Sequence, residues 1–207
     1  MNDTDGSASH EPTRPCPAAD ELLEPLRQGD AAAFGALVTQ LQDRVLNIAY
    51  RFVRDRQDAE DVAQEVFVEV HRSLPGFRGE AQLSTWIYSI AVRKSLDAVR
   101  RTKRKRRLGQ VRRLLRLEEA EPELPAAHGS DPLTGLVDAE RVRLLEEAVA
   151  SLKETQRVAI TLTKYEGLSY AEVAAAMETT IPAVESLIHR ALANLEKKLR
   201  RHYADLD

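Results

Sequence analysis

The sequence is poor in the residues that build disulfides, β-sheets and membrane spans. Its 207 residues include one cysteine, Cys16, which excludes an internal disulfide framework and a cysteine-based zinc site. Aromatic residues make up 5%, and no stretch alternates apolar with polar residues over the length of a strand, which favours an all-helical chain. The longest uncharged run, 31–42, is too short to span a bilayer. With no apolar core of a signal peptide in the polar first residues, we expect a cytoplasmic, all-α protein without direct membrane insertion.

The motifs of common catalytic sites are also missing. The sequence has no glycine-rich phosphate loop, no nucleophile elbow and no His-x-x-x-His pair, and its five histidines are scattered. Asp58, Glu60 and Asp61 are close in sequence, but neighbouring positions on a helix point in different directions and do not converge on a metal. We therefore expect no catalytic activity, no metal and no cofactor.

Charge is distributed unevenly, although the net charge is only −3. Residues 93–116 contain twelve Lys or Arg and one acid, whereas residues 118–140 contain seven acids and no Lys or Arg. Seven of the eight residues at 100–107 are basic. Concentrated like charge repels itself, so the basic segment indicates a polyanion as its partner. The acidic segment that follows is typical of a solvated linker.

Composition divides the chain into two helical domains with a tail and a linker. Residues 1–19 combine Gly, Ser, Pro, Thr and Asp without periodicity and are predicted to be a disordered tail. Residues 20–107 have long helical apolar patterns and form the first predicted domain. Residues 108–137, with their Pro and Gly breaks, are predicted to be a flexible linker, and residues 138–207 form the second domain.

Residues that cap helices predict where three helices of the first domain begin. Asp30 is predicted to cap the first, and Asp58 the second, with Asp61 at the position of a capping-box acid. Ser84 is predicted to cap a third helix that continues through the basic run. These caps give a bundle of long helices.

The second domain contains a helix-turn-helix pattern. Ser169 and Glu172 form a Ser-x-x-Glu capping box at the start of one short helix, and a longer helix follows after a short turn. If its apolar residues are buried, four side chains face outward where a recognition helix meets bases: Glu185, Ser186, His189 and Arg190. A plain helical hairpin with solvated charges is the alternative.

The helix after Ser84 carries an aromatic residue in line with charged residues. At 100° per residue, Trp86, Arg93, Asp97, Arg100 and Arg104 fall close to one line. An aromatic ring beside a column of arginines suits unpaired DNA, because bases stack on rings while guanidinium groups follow phosphates. In the alternative interpretation, Trp86 covers the core and the arginines are merely solvated.

The helix after Asp58 has one compact face that is acidic with an exposed valine. Its members include Asp61, Gln64, Glu65 and Val68. Such a face suits a protein partner with basic side chains around a small apolar contact. A solvated acidic face is the simpler interpretation from the residues alone.

These three features, in this order, resemble the sigma-70 family of bacterial RNA polymerase sigma factors, most closely the small extracytoplasmic-function (ECF) group with two domains. Three stretches carry the resemblance: DAEDVAQEVF at 58–67, FRGEAQLSTWIYSIAV at 77–92, and YEGLSYAEVA at 165–174 followed by AVESLIHRA at 183–191. The resemblance implies a promoter-specificity subunit with region 2 at 20–107 and region 4 at 138–207. It also departs from the family in two places, with Glu178 where the turn often holds glycine and Glu185 where many relatives have Lys or Arg.

The resemblance assigns roles to the residues above. The face of Asp61, Gln64, Glu65 and Val68 would contact core RNA polymerase. A second group would melt and read the promoter −10 element: Phe77, Arg78, Ser84, Thr85, Trp86, Arg93, Lys94, Asp97, Arg100 and Arg104. Glu185, Ser186, His189 and Arg190 would read the −35 element. The family also implies regulation by an anti-sigma factor, often one held at the membrane.

Two other functions remain open from the sequence. A stand-alone helix-turn-helix regulator would bind duplex DNA without polymerase, and would need neither the acidic face nor an aromatic such as Trp86. A sigma mimic that only titrates an anti-sigma factor would have no reason to keep the basic column of Arg93, Arg100 and Arg104.

Overall fold

A computed structural model describes residues 18–114 and 136–204, and every regular element in these two ranges is helical. The all-α expectation is therefore confirmed for the described chain. The tail to residue 17 and most of the predicted linker lie outside the described residues. The helices run as follows: α1 Ala18–Glu21, α2 Leu23–Arg27, α3 Ala31–Val53, α4 Arg56–Ser73, α5 Leu83–Leu114, α6 Leu136–Ala150, α7 Glu154–Ile160, α8 Tyr170–Ala176 and α9 Ile181–Ala204.

The first domain is a bundle of α3, α4 and α5, which all pack against one another. Asp30 caps α3 as predicted, its carboxylate accepting hydrogen bonds from the backbone N–H groups of Ala32 and Ala33 at 2.7 and 3.3 Å. The buried side of α3 includes Leu37, Leu41 and other apolar residues at helical spacing, so the periodicity identified the core face. The short helices α1 and α2 were not predicted, because neither is long enough to show a period.

Two predicted caps in this domain are wrong. Helix α4 begins at Arg56 and is capped by Asp55, whose carboxylate accepts from the Asp58 backbone N–H at 2.9 Å. Asp58 is thus the third residue of the helix rather than its cap. Helix α5 begins at Leu83, and the Ser84 hydroxyl has no hydrogen-bond partner among the described residues, so it does not cap a helix.

The predicted end of the third helix also differs, because α5 continues through the basic run to Leu114. The basic residues at 100–107 therefore belong to one long helix that extends past the bundle. In a helix their charges are spaced along a rigid axis, which keeps a fixed row of cations in water.

The second domain consists of α6 to α9. The Ser169 capping box of α8 is confirmed in both directions: the Ser169 hydroxyl accepts from the Glu172 backbone N–H at 3.3 Å, and the Ser169 backbone N–H donates to the Glu172 carboxylate at 2.8 Å. A π-helical turn, Thr161–Tyr165, follows α7 and leads to Gly167 at φ +71°. Glu178, in the turn between α8 and α9, adopts the left-handed conformation at φ +51° that the comparison with glycine predicted.

The two domains lie against each other. Helix α5 packs on α8, and α3 packs on α6. The sequence gives no sign of these contacts, because the residues on both sides read as ordinary solvent-facing charges.

Candidate protein and nucleic-acid interfaces

One side of α4 carries the acidic face. The four residues predicted for it, Asp61, Gln64, Glu65 and Val68, line one shallow depression on the surface. Val68 is 49% exposed, a large value for an apolar side chain in the middle of a helix. An exposed apolar residue among carboxylates gives a partner both a nonpolar contact and a charge to pair.

Two cations from α5 reach into the same depression. The Lys94 ammonium lies 3.2 Å from the Glu69 carboxylate, and the Arg101 guanidinium lies 3.2 Å from the Glu65 carboxylate. The hydrogen bond from Lys94, with a further one from Ser73, holds the pKa of Glu69 below its usual range. Lys94 was expected near promoter bases, but the structure places it beside the acidic face. Arg101 was not singled out within the basic run.

The arginine column lies on the solvent side of α5. Arg93, Asp97, Arg100 and Arg104 are exposed, in agreement with their helical projection. The opposite side buries Ile87, Ile90 and Ala91. Arg100 is engaged twice, with its guanidinium 3.3 Å from the Asp97 carboxylate and 2.5 Å from the carboxylate of Glu154 in the second domain.

The aromatic residue of the predicted melting segment is half-buried. The ring of Trp86 packs on the ring of Phe77, with a centroid distance of 4.9 Å and an interplanar angle of 38°. Phe77 itself is only 8% exposed, and its backbone carbonyl accepts a hydrogen bond from the Arg27 guanidinium at 3.0 Å. Trp86 therefore has one side packed on the domain and the other side partly open.

The other residues assigned to that segment differ in exposure. Arg78 is exposed, and its guanidinium lies 3.9 Å from the Glu80 carboxylate. Ser84 and Thr85 are buried, and the structure gives their hydroxyl groups no hydrogen-bond partner among the described residues. Buried in this way, both hydroxyls lie beneath the surface that DNA would reach.

The helix-turn-helix presents its predicted residues outward. Glu185, Ser186, His189 and Arg190 on α9 are exposed, whereas Val184 and Ile188 of the same helix are buried. The Arg190 guanidinium donates to the Ser186 backbone carbonyl at 3.1 Å and to the Ser186 hydroxyl at 2.6 Å. These two bonds use part of its five-donor fork and fix its direction, so the remaining donors point from the helix surface in one orientation.

A buried acid lies where the two domains meet. Glu166, at the end of the π-helical turn, is 5% exposed, and burial raises its pKa to about 7, although the charges of Arg44 and Arg51 lower it. Sequence reasoning missed Glu166, because it stands in a run without periodicity.

Within residues 18–114 and 136–204, the structure contains no helix long and apolar enough to cross a membrane. The same ranges hold no cluster of three or more His, Cys, Asp or Glu side chains arranged to bind a metal ion. The chemistry on the described surface is that of charge, hydrogen-bond donors and one half-open aromatic ring.

Comparison with protein families matches both domains. Residues 37–105 match the family described as Sigma-70 region 2, and residues 143–195 match the family described as Sigma-70, region 4. The first match covers α4 with its acidic face and most of α5. The second covers the helix-turn-helix.

Curated relatives match nearly the whole chain. It is 33% identical to RNA polymerase sigma-H factor of Pseudomonas aeruginosa over 87% of this chain and 93% of the relative. It is 35% identical to ECF RNA polymerase sigma-E factor of Haemophilus influenzae over 86% of this chain and 94% of the relative.

Among solved structures, CnrH in complex with the cytosolic domain of CnrY has a TM-score of 0.65 and 26% identity, covering 88% of this chain and 98% of that one. The sigma factor RpoE of Bartonella quintana, in complex with the anti-sigma factor NepR, shares the fold with a TM-score of 0.52 at 21% identity, over 81% of this chain and 96% of that chain.

Proposed function

We propose, for a chain that belongs to the sigma-70 family of RNA polymerase sigma factors and to its ECF group, that it binds core RNA polymerase in the cytoplasm and directs it to a specific set of promoters. The observation that supports this most strongly is the presence of both sigma regions in one chain that matches its relatives over 86% or more of its length. The protein contributes recognition and DNA opening, and the polymerase contributes the catalysis.

The acidic face of α4 is the proposed contact with core polymerase. Its exposed carboxylate at Asp61 and exposed valine at Val68 offer charge and apolar surface together. A basic polymerase surface would have to compete with Arg101 for Glu65, because that carboxylate is already paired.

The proposed −10 contact lies on α5 and the segment before it. Arg93, Arg100 and Arg104 would follow the phosphates, and the open side of Trp86 would support a base removed from the stack. Phe77 would act from below by holding the Trp86 ring, at a centroid distance of 4.9 Å. Ser84 and Thr85 are buried, so a contact with DNA would require this segment to rearrange.

The proposed −35 contact is the exposed side of α9. Arg190 would pair with a guanine or a phosphate, and Glu185 would accept a hydrogen bond from cytosine. We also propose regulation by an anti-sigma factor, since the family resemblance implies one and the CnrH relative was solved with a cytosolic partner domain.

Run-off transcription from a library of genomic fragments tests this function. Purified core polymerase is assayed with and without the protein, and we expect discrete transcripts that require it. Core binding without transcripts on any template would favour a mimic. DNA binding without core binding would favour a stand-alone regulator.

Replacing Arg190 with alanine should weaken recognition of the −35 element. We expect the substitution to cost about 1–3 kcal/mol on a promoter selected by the parent protein, because it removes a donor that Ser186 holds in place. The measurement is holoenzyme binding to duplex promoter DNA. Arg143→Ala is the matched control, since Arg143 is an exposed arginine on α6 that pairs with Glu147. Equal losses in the two variants would contradict the assignment of α9 as the recognition helix.

A further inference from the structure

The two domains exchange cations across their interface. The Arg51 guanidinium of α3 lies 3.4 Å from the centroid of the Tyr165 ring in the second domain. In the opposite direction, the Arg157 guanidinium of α7 lies 4.7 Å from the centroid of the Phe52 ring. Each domain therefore places an arginine over an aromatic ring of the other, a specific arrangement that attracts more strongly as water is removed.

Two ion pairs extend this interface toward the DNA-binding side of α5. Arg54 and Glu146 approach to 3.5 Å, and Arg54 also donates to the Glu146 backbone carbonyl. Arg100 and Glu154 approach to 2.5 Å. Arg93 lines a cleft of about 210 Å³ between α5 and the second domain, together with Met177 and Glu178 of the helix-turn-helix. Two members of the arginine column thus face protein instead of solvent alone.

We propose that the free protein is autoinhibited by this interface: the closed arrangement of the domains occupies the arginine column, and the domains must separate before the promoter is bound. The inference rests on the function proposed above, whose −10 and −35 contacts it regulates.

Promoter geometry supports the need for opening. Elements named for positions 25 base pairs apart are about 85 Å apart on B-DNA at ~3.4 Å per base pair. The longest helix of the second domain, α9 at 24 residues, spans about 36 Å. Two domains in contact therefore cannot read both elements, whereas the 21 residues between α5 and α6 reach about 70 Å when extended.

The interface is also built to open. The structure leaves the buried Nε groups of Arg51 and Arg157 and the hydroxyl of Thr161 without hydrogen-bond partners among the described residues. Unmet buried donors cost free energy that the ring contacts must offset, so the closed arrangement is only marginally favoured. DNA phosphates and core polymerase can then displace it.

A charge-swap cycle on the Arg54–Glu146 pair tests the proposal away from the DNA-binding residues. The variants are Arg54→Glu, Glu146→Arg and the double swap, all in full-length protein. Domain separation is followed by energy transfer between dyes on cysteines introduced at the exposed positions Ala36 and Ala193, in a Cys16→Ser background. Affinity is measured with a short, labelled, mixed-sequence single-stranded DNA, and circular dichroism checks the fold.

We expect both single variants to lower energy transfer and to bind the DNA about tenfold more tightly, and the double swap to restore both parent values. The two single variants change net charge in opposite directions, so a purely electrostatic effect would raise one affinity and lower the other. That result, or unchanged energy transfer, would overturn the proposal. Glu154→Gln, compared with Glu196→Gln on the outer side of α9, repeats the test without charge reversal.

Separate readouts distinguish this proposal from the proposed function. If the parent protein directs transcription with core polymerase but the swaps leave energy transfer unchanged, only the autoinhibition is wrong. If the swaps open the protein but neither parent nor variants support transcription with core polymerase, the sigma-factor function is wrong.

The buried Glu166 predicts a pH dependence for the same equilibrium. Its carboxyl faces Arg44 and Arg51 of α3, and its pKa is raised to about 7, so the closed arrangement retains a proton that an exposed glutamate would release. The stability of the closed arrangement should therefore be full below the ordinary glutamate pKa and fall as pH rises through about 7, by up to tenfold per pH unit above it. We expect energy transfer to fall between neutral and alkaline pH in the parent, and to stay high in Glu166→Gln. A parallel pH response in the two proteins would contradict the role of Glu166.

Discussion

Reversing two charges on the acidic face, as Asp61→Lys with Glu65→Lys, is expected to reduce binding to core RNA polymerase at least a hundredfold, a loss of about 3 kcal/mol. The two carboxylates lie in one depression with Gln64 and Val68. Two lysines in their place would face the basic partner surface with like charge, which costs several kcal/mol in a protein interface. Binding is measured by titration of labelled protein with purified core enzyme.

A control with the same change in net charge separates this contact from general electrostatics. Glu24→Lys with Asp43→Lys reverses two exposed carboxylates of the same domain on α2 and α3, away from the acidic face. We expect this control to bind core enzyme close to the parent affinity, with both proteins keeping the parent's helical content. Equal losses in the two double variants would show that net charge, rather than the acidic face, determines polymerase binding.

Replacing Trp86 with alanine should slow promoter opening more than it weakens the first, closed complex. One side of the Trp86 ring packs on Phe77, so the ring is held in place before DNA arrives. Stacking of a base on such a ring contributes about 1–3 kcal/mol, which predicts a reduction in the extent of opening of roughly tenfold or more. Permanganate reactivity of thymines near the start site measures opening, and filter binding at low temperature measures the closed complex.

Trp86→Phe is the informative comparison for this substitution. Phenylalanine keeps an aromatic face and a contact with Phe77, so we expect opening near the parent level. Because Trp86 also covers part of the core, the alanine variant should lose some stability as well, which thermal unfolding will report. If permanganate reactivity is the same in parent and Trp86→Ala, the ring serves only the core and the proposed stacking role is wrong.

The sequence predicts the helices of this protein well wherever a buried face repeats over several turns. The spacing of Leu37, Leu41 and their neighbours located α3, and the outward direction of Arg190 followed from the burial of Val184 and Ile188. Periodicity works here because a helix that packs on one side must repeat its apolar residues every three or four positions.

Helix ends were less predictable, for a physical reason. Asp55 and Asp58 are both good capping residues, and the sequence does not state which one has the extended backbone that a cap requires. Ser84 looked like a cap but is buried one residue inside α5. The choice depends on how α4 and α5 pack, which local sequence does not contain.

The contacts between domains could not be predicted at all. Arg51, Arg157 and Glu166 are charged residues without a motif, and each acquires its role only because a distant part of the chain lies against it. Lys94 illustrates the same limit within one domain, since its position on α5 suggested DNA while its ammonium group pairs with Glu69 of α4.

The ion pair between Arg101 and Glu65 makes polymerase binding and promoter binding thermodynamically cooperative. A polymerase cation that takes over Glu65 leaves the Arg101 guanidinium free for a phosphate, and a phosphate that takes Arg101 leaves Glu65 free for the polymerase. Such coupling is reciprocal, so each ligand raises the affinity of the other by the same factor. The pair is exposed at the surface, which limits that factor to about fivefold for up to ~1 kcal/mol. A single salt bridge would in this way favour the ternary complex over either binary one.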